Sequence, residues 1–299
     1  MRRWLVGVLL LGTLATVARA EEPVNVPWPD FLPALASPNG TPGGPQPRCR
    51  KATMKCIDIV IRRLRARQDH FGCDHRAVFA TTYLTLTRVM RRTMRADRHF
   101  FRDRSALLYE DALFAHIYFQ TLKRYRLGQP VDAAWQIALD NATSGDLQGA
   151  GDMLLGINAH VQNDMPFLLA QITLRDSQGR SRRADHNAEN AILDDAFDEV
   201  VALIGRRYDP LTTLETTDLS PVTDVFAMEL VKTWREGVWR NAERLVNAKT
   251  DAEREFVADG IHQQAASTAM LIEAATQGPP GYRATRDAYC AEQVAASTR

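Results

Sequence analysis

The sequence predicts an all-α protein, a multi-helix bundle of about eight helices behind an extended Pro-rich N-terminal arm, and three observations carry that prediction. From Ala52 onward, apolar residues recur at steps of three and four, the period of helices that bury one face. No stretch alternates β-branched and polar residues between turn signals, as half-buried strands would. Residues 21–47 hold eight prolines and the run Asn39-Gly40-Thr41-Pro42-Gly43-Gly44-Pro45, so this arm cannot be regular structure. Trp28, Phe31, Leu32 and Leu35 are its candidate anchors on the body.

Before the arm, residues 1–20 run from Arg2 and Arg3 through an apolar stretch, Trp4 to Val17, to Ala18-Arg19-Ala20, the order of a secretory signal. Cleavage is expected after Ala20, which sends the chain to a secreted or periplasmic location. No cysteine follows the cleavage point to take a lipid, and no later segment reaches the roughly 18–20 apolar residues of a membrane span. Losing Arg2, Arg3 and Arg19 leaves 34 basic against 36 acidic residues, a formal charge of −2, so no nucleic-acid partner is expected. Cys49, Cys56, Cys73 and Cys290 are an even set in an oxidising compartment and are expected to form two disulfides. Of the three pairings, Cys56 with Cys73 is disfavoured. A helix between them holds the two about 25 Å apart, against roughly 6 Å between bridged Cα atoms.

The body, residues 48–299, is expected to be one helical domain. The first two helices, near 52–67 and 75–95, and the fourth, near 131–143, rest on apolar periodicity alone. The third, near 105–126, has Ser105 as a candidate cap and is stopped by Gly128-Gln129-Pro130. Its stripe of Leu107, Phe114, Tyr118 and Tyr125 contains Asp111. The fifth, near 147–174, is apolar nearly all round and so should lie inside the bundle, with Pro166 disturbing its ladder at the carbonyl of Gln162. In the sixth, near 186–207, the stripe of Leu193, Phe197, Val200 and Ile204 extends back to Asn190 and His186. Pro221 suits the first turn of a helix near 222–248, and Gly278-Pro279-Pro280-Gly281 ends the last, near 251–276.

Polar residues on these apolar faces are the candidate site. His160 and Asp164 stand four apart on the buried fifth helix, where an imidazole and a carboxylate can bind one ion or each other. Asp111 and His186 lie on stripes that face inward. If they converge, His160, Asp164 and His186 could hold a divalent metal such as zinc while Asp111 acts as ligand or general base, with Asn158, Asn163, Asp185 and Asn190 contacting whatever is bound. The expected activity is then metal-assisted hydrolysis of a phosphate or ester. The competing expectation is a non-catalytic module binding a lipid, a small ligand or an envelope partner, its polar cluster a closed hydrogen-bond network. Trp234, Arg235, Trp239 and Arg240 offer a cation–π site or snorkelling core residues, and the arginines between Arg88 and Arg104 an anion-attracting or merely solvated face. No GxSxG, HExxH, Walker, dinucleotide or EF-hand pattern occurs.

The segment Leu155-Gly156-Ile157-Asn158-Ala159-His160-Val161-Gln162-Asn163-Asp164-Met165-Pro166 resembles an uncharacterised bacterial domain-of-unknown-function family with a signature near LGxNAHIxxDLP. Phe79 to Thr87, Phe114-Ala115 with Tyr118, Asp185-His186 and Thr233-Trp234-Arg235 extend the resemblance over most of residues 52–248. It implies a helical fold and marks His160 and Asp164, without supplying a reaction. Secreted zinc-dependent phospholipases C and single-strand nucleases are similar in architecture only: their ligand-bearing N-terminal Trp is not expected here, where the mature chain would begin at Glu21.

Overall fold

The computed structural model describes residues 52–212 and 220–297. The expected signal, arm and Cys49 lie outside them. The helices are α1 (Met54–Phe71), α2 (Arg76–Ala96), α3 (Arg104–Arg126), α4 (Ala133–Ser144), α5 (Gly149–Ile157), α6 (Met165–Ile172), α7 (Arg183–Arg207), α8 (Ser220–Asn247), α9 (Asp251–Ala275) and α10 (Tyr282–Ser297), with a π-helical segment, Asn158–Asp164, joining α5 to α6. The described residues contain isolated β-bridges but no strand.

The α5–π–α6 rod is the centre, touching α2, α3, α4, α7, α8 and α9. Its all-round apolar composition needs partners on every side, and six helices supply them. Where the sequence predicts one continuous helix, the structure has a π-helical interruption ending just before Pro166. A proline cannot donate to the carbonyl four residues back and its ring pushes that carbonyl aside, so the ladder widens ahead of it.

α1 buries Cys56, Ile57, Val60, Leu64 and Gln68 along one face against α2. α2 is buried through every residue from Ala77 to Thr85, and three of its threonines are satisfied within the helix. Thr82, Thr85 and Thr87 donate to the carbonyls of Val78, Thr81 and Tyr83 at 3.0, 2.9 and 2.8 Å.

Two expected boundaries change. α3 is capped by Asp103, whose carboxylate accepts from the Ala106 amide at 3.1 Å, while Ser105 donates to that carboxylate. The chain also does not end its helices at Gly278-Pro279-Pro280-Gly281, for α10 follows. Its buried stripe is Tyr282, Arg286 and Cys290, and the arginine in the middle hides the period. Arg286 donates to the Cys73 carbonyl, and Cys73–Cys290 is a disulfide with Cα atoms 5.7 Å apart. Cys56 is disulfide-bonded too, so neither half of the disfavoured Cys56–Cys73 pair is free to form it.

Candidate functional site

Residues of α2, α3, α5, the π segment, α6, α7 and α8 line a partly open cavity of about 140 Å³. One water molecule needs roughly 10–15 Å³ on the same measure, so the space is on the order of ten waters. Its wall is mainly apolar, including Phe79, Phe114, Ile157, Ile192 and Met228, with Tyr83, Glu110, Asp111, His160, Glu189 and Arg235 as its principal polar members.

His160 sits in an aromatic box. Its ring stacks on Phe114 at 3.5 Å with 2° between planes, and Tyr83, Trp135, Tyr118 and Phe79 surround it at 5.1, 5.7, 5.9 and 6.0 Å. Behind it, Asp164 accepts from Trp135 Nε1 at 2.9 Å through Oδ2 and from Asn163 Nδ2 at 2.8 Å through Oδ1. An indole and an amide nitrogen can only donate, so both carboxylate oxygens act as acceptors. His160 Nδ1, 2.9 Å from Oδ2, therefore carries the proton. That leaves Nε2 as a bare lone pair, buried and without a hydrogen-bond partner among the described residues. Burial holds the imidazole well below the usual histidine range, which keeps it neutral.

Opposite in character is an acidic wall. Glu110 and Asp111 are consecutive on α3 and both line the cavity. Asp111 Oδ2 is buried with no partner among the described residues. Burial and then the Glu189 charge push Asp111 up to about 7. Burial, again with Glu189 next, pushes Glu110 well above the usual carboxylate range, against the opposing fields of Arg235 and Arg182. Tyr83, whose hydroxyl also lacks a partner, is pushed up by burial first and by Asp111 next.

Arg235 reaches across from α8 to α7. It donates to Glu189 Oε2 at 2.5 Å, to Asn190 Oδ1 at 2.8 Å, and to His186 at both the carbonyl, 2.5 Å, and Nδ1, 3.2 Å. Because a guanidinium only donates, His186 Nδ1 is the acceptor, and Nε2 donates to the Arg235 carbonyl at 3.0 Å. Burial and the Arg235 charge hold His186 well below the usual range.

The expected residues therefore separate by role. Asp111 and His160 line the cavity, Asp164 stands behind His160, and His186 and Asn190 stand behind the Glu189–Arg235 pair. His160, Asp164 and His186 do not form a metal-ligand set. Both nitrogens of His186 are engaged by Arg235, and among the described residues no three His, Cys, Asp or Glu side chains are grouped to hold an ion. The other expected contacts are internal braces. Asp185 accepts from the Arg102 and Asp103 amides at 2.7 and 2.8 Å, pinning the entry to α3. Asn158 donates to the Ala265 carbonyl at 2.8 Å and accepts from Gln162. Asn163 bridges Asp132, Asp164 and His262. Arg235 serves Glu189 rather than Trp239, and among the crowded arginines Arg91 and Arg92 pair with Asp58 and Glu199.

A family model described as a family of unknown function (DUF5995) matches residues 57–275. The chain belongs to that family. The matched span takes in every residue that lines the cavity. No curated protein and no solved structure gives a match.

Sequence reasoning missed Glu110, Glu189, Tyr83 and Trp135. Glu110 was signalled by its neighbour Asp111, and Glu189 by lying three residues past His186. Trp135 carried no signal, since its partner Asp164 is 29 residues away.

Proposed function

We propose that this protein acts outside the cytoplasm as a binding module that takes a small, mainly apolar molecule into the cavity between α2, α3, α7, α8 and the central rod. The signal-like N-terminus and the disulfide-bonded cysteines support the location. Among the described residues no helix is long and apolar enough to cross a membrane.

One observation carries the reading: an apolar cavity of about 140 Å³ bears buried polar atoms with no partner among the described residues, His160 Nε2 and Asp111 Oδ2. Each such atom costs about 1–3 kcal/mol, a cost that a ligand with matching polar atoms removes. An environment-sensitive apolar fluorophore, 1-aminoanthracene, should bind with one-to-one stoichiometry. Binding should disappear in Leu193→Trp, which fills the cavity from α7, while the variant keeps its helical circular dichroism. Absence of saturable binding, or equal binding by a folded Leu193→Trp, rules the reading out.

A second reading, ester hydrolysis, is favoured by the Asp164–His160 pair, which presents a neutral imidazole with its lone pair towards the cavity, the form a general base needs. Turnover of p-nitrophenyl esters of graded chain length, abolished in His160→Gln, is its test. Rates equal in the parent and His160→Gln eliminate it.

A further inference from the structure

We infer that the polar end of the ligand is a protonated amine, a deduction that rests on the cavity-binding reading above. Three residues lining this space each carry a buried polar atom with no partner among the described residues: His160 Nε2, Asp111 Oδ2 and the Tyr83 hydroxyl. All three residues are more than nine-tenths buried, at 2 %, 7 % and 7 % exposed. The histidine nitrogen can only accept, because Nδ1 carries the proton that Asp164 receives. The other two can accept as well. An ammonium group has three donors and no acceptor, an alcohol has one donor, and a carboxylate has none.

Charge selects the same group. Among the described residues, the titratable or charged side chains lining the cavity are Tyr83 on α2, Glu110 and Asp111 on α3, His160 on the π segment, Glu189 on α7 and Arg235 on α8. Three are carboxyls and one is a cation. That cation is bonded to Glu189, and among the described residues neither Glu110 nor Asp111 has an ion-pair partner. Arg182 acts on Glu110 only through its field. A phosphate or carboxylate would find no free cation among the described residues lining this space, whereas an ammonium would favour the ionised forms of Glu110 and Asp111. Phe79, Tyr83 and Phe114 line the same space, an aromatic wall of the kind that attracts cations, and the apolar remainder takes the alkyl body. A bare metal ion fits less well, since no three ligating side chains are grouped among the described residues.

Because burial and Glu189 push Asp111 up to about 7 and Glu110 in the same direction, amine binding should release protons. Calorimetry with octylamine, octanol and octanoate, each in two buffers of different ionisation enthalpy near pH 6, tests this. Octylamine should bind at least tenfold tighter than octanol, octanoate should be weakest, and the octylamine enthalpy should vary with buffer in the sense of proton release. Asp111→Asn should weaken octylamine at least tenfold and leave octanol within about twofold. If octanol or octanoate binds as tightly as octylamine, or Asp111→Asn leaves the amine preference intact, the amine assignment is wrong while cavity binding stands. If none of the three binds and 1-aminoanthracene also fails, both fall.

Discussion

Gly156 lies in the last turn of α5, inside the segment that carries the family resemblance, and the structure fixes what an alanine there must meet. A Cβ built at Gly156 falls 2.3 Å from Cγ and Cδ2 of Phe79 and 2.7 Å from its Cβ. Carbon atoms pack best at about 3.5–4.0 Å, so the ring would have to retreat by more than about 1 Å. Phe79 cannot do so alone, because its ring lies edge-on to Tyr118 at 5.3 Å, Trp135 at 5.8 Å and His160 at 6.0 Å. Overpacking of this kind costs about 1–3 kcal/mol, and replacing a helical glycine by alanine returns about 0.5–1 kcal/mol. Gly156→Ala should therefore destabilise by about 1–2 kcal/mol. In a chain of this length that lowers Tm by about 2–8 °C. Gly237 in α8 and Gly260 in α9 are internal controls, since a Cβ at either meets nothing within 4 Å. Gly237→Ala and Gly260→Ala should each raise stability by about 0.5–1 kcal/mol. Thermal unfolding followed by circular dichroism measures all three. A Gly156→Ala protein as stable as the Gly237→Ala protein would refute the packing at the cavity wall.

Asp111 is held near 7 in the folded protein against 3.8 as its ordinary value, so between those values the native state keeps a proton the unfolded state has lost, and its contribution to stability falls as pH rises. Asp111→Asn should be nearly neutral at about pH 4 and stabilising at about pH 8. At about 1.4 kcal/mol for each pH unit between the two values, the ceiling is about 4 kcal/mol, read from urea midpoints. His160 and His186 act in the opposite sense: both lie well below their ordinary value, so their contribution is complete above about pH 6.5 and is lost as pH falls further. His160→Gln should accordingly flatten the acid side of the stability profile. Cys290→Ser opens a bridge spanning 217 residues of sequence, and removing a native disulfide should cost about 2–5 kcal/mol, towards the upper end for so long a loop, in denaturant titration. Trp135→Phe removes the indole donor to Asp164 and should cost about 1–3 kcal/mol by the same titration.

The helical architecture was legible because its cause is local: apolar residues three and four apart must share a face, and that rule places α1 to α9 within a few residues, apart from the break in the central rod. α10 escaped because its buried stripe runs through Arg286, which reaches the Cys73 carbonyl on the far side of the chain. The π segment was half legible. Pro166 announced a disturbed ladder, but whether the helix kinks, ends or widens depends on what packs around it. At the site, inward-facing histidines and acids were readable as buried, and the structure buries Asp111, His160, Asp164 and His186 alike. What they bond to was not readable. His186 turns to Arg235, 49 residues on, and Asp164 to Trp135, 29 residues back. Periodicity gives the face a side chain occupies and is silent on which neighbouring helix answers it, so one imagined ligand set resolved into two hydrogen-bonded groups.

The protonation of His160 is the point on which the cavity's chemistry turns. Nitrogen-15 spectra of histidine-labelled protein near pH 7, with the His160 signal assigned through His160→Gln among the seven histidines, read it directly. The account predicts a neutral ring protonated at Nδ1, with a bare Nε2 whose signal moves when octylamine is added. A ring protonated at Nε2, or an imidazolium, contradicts it.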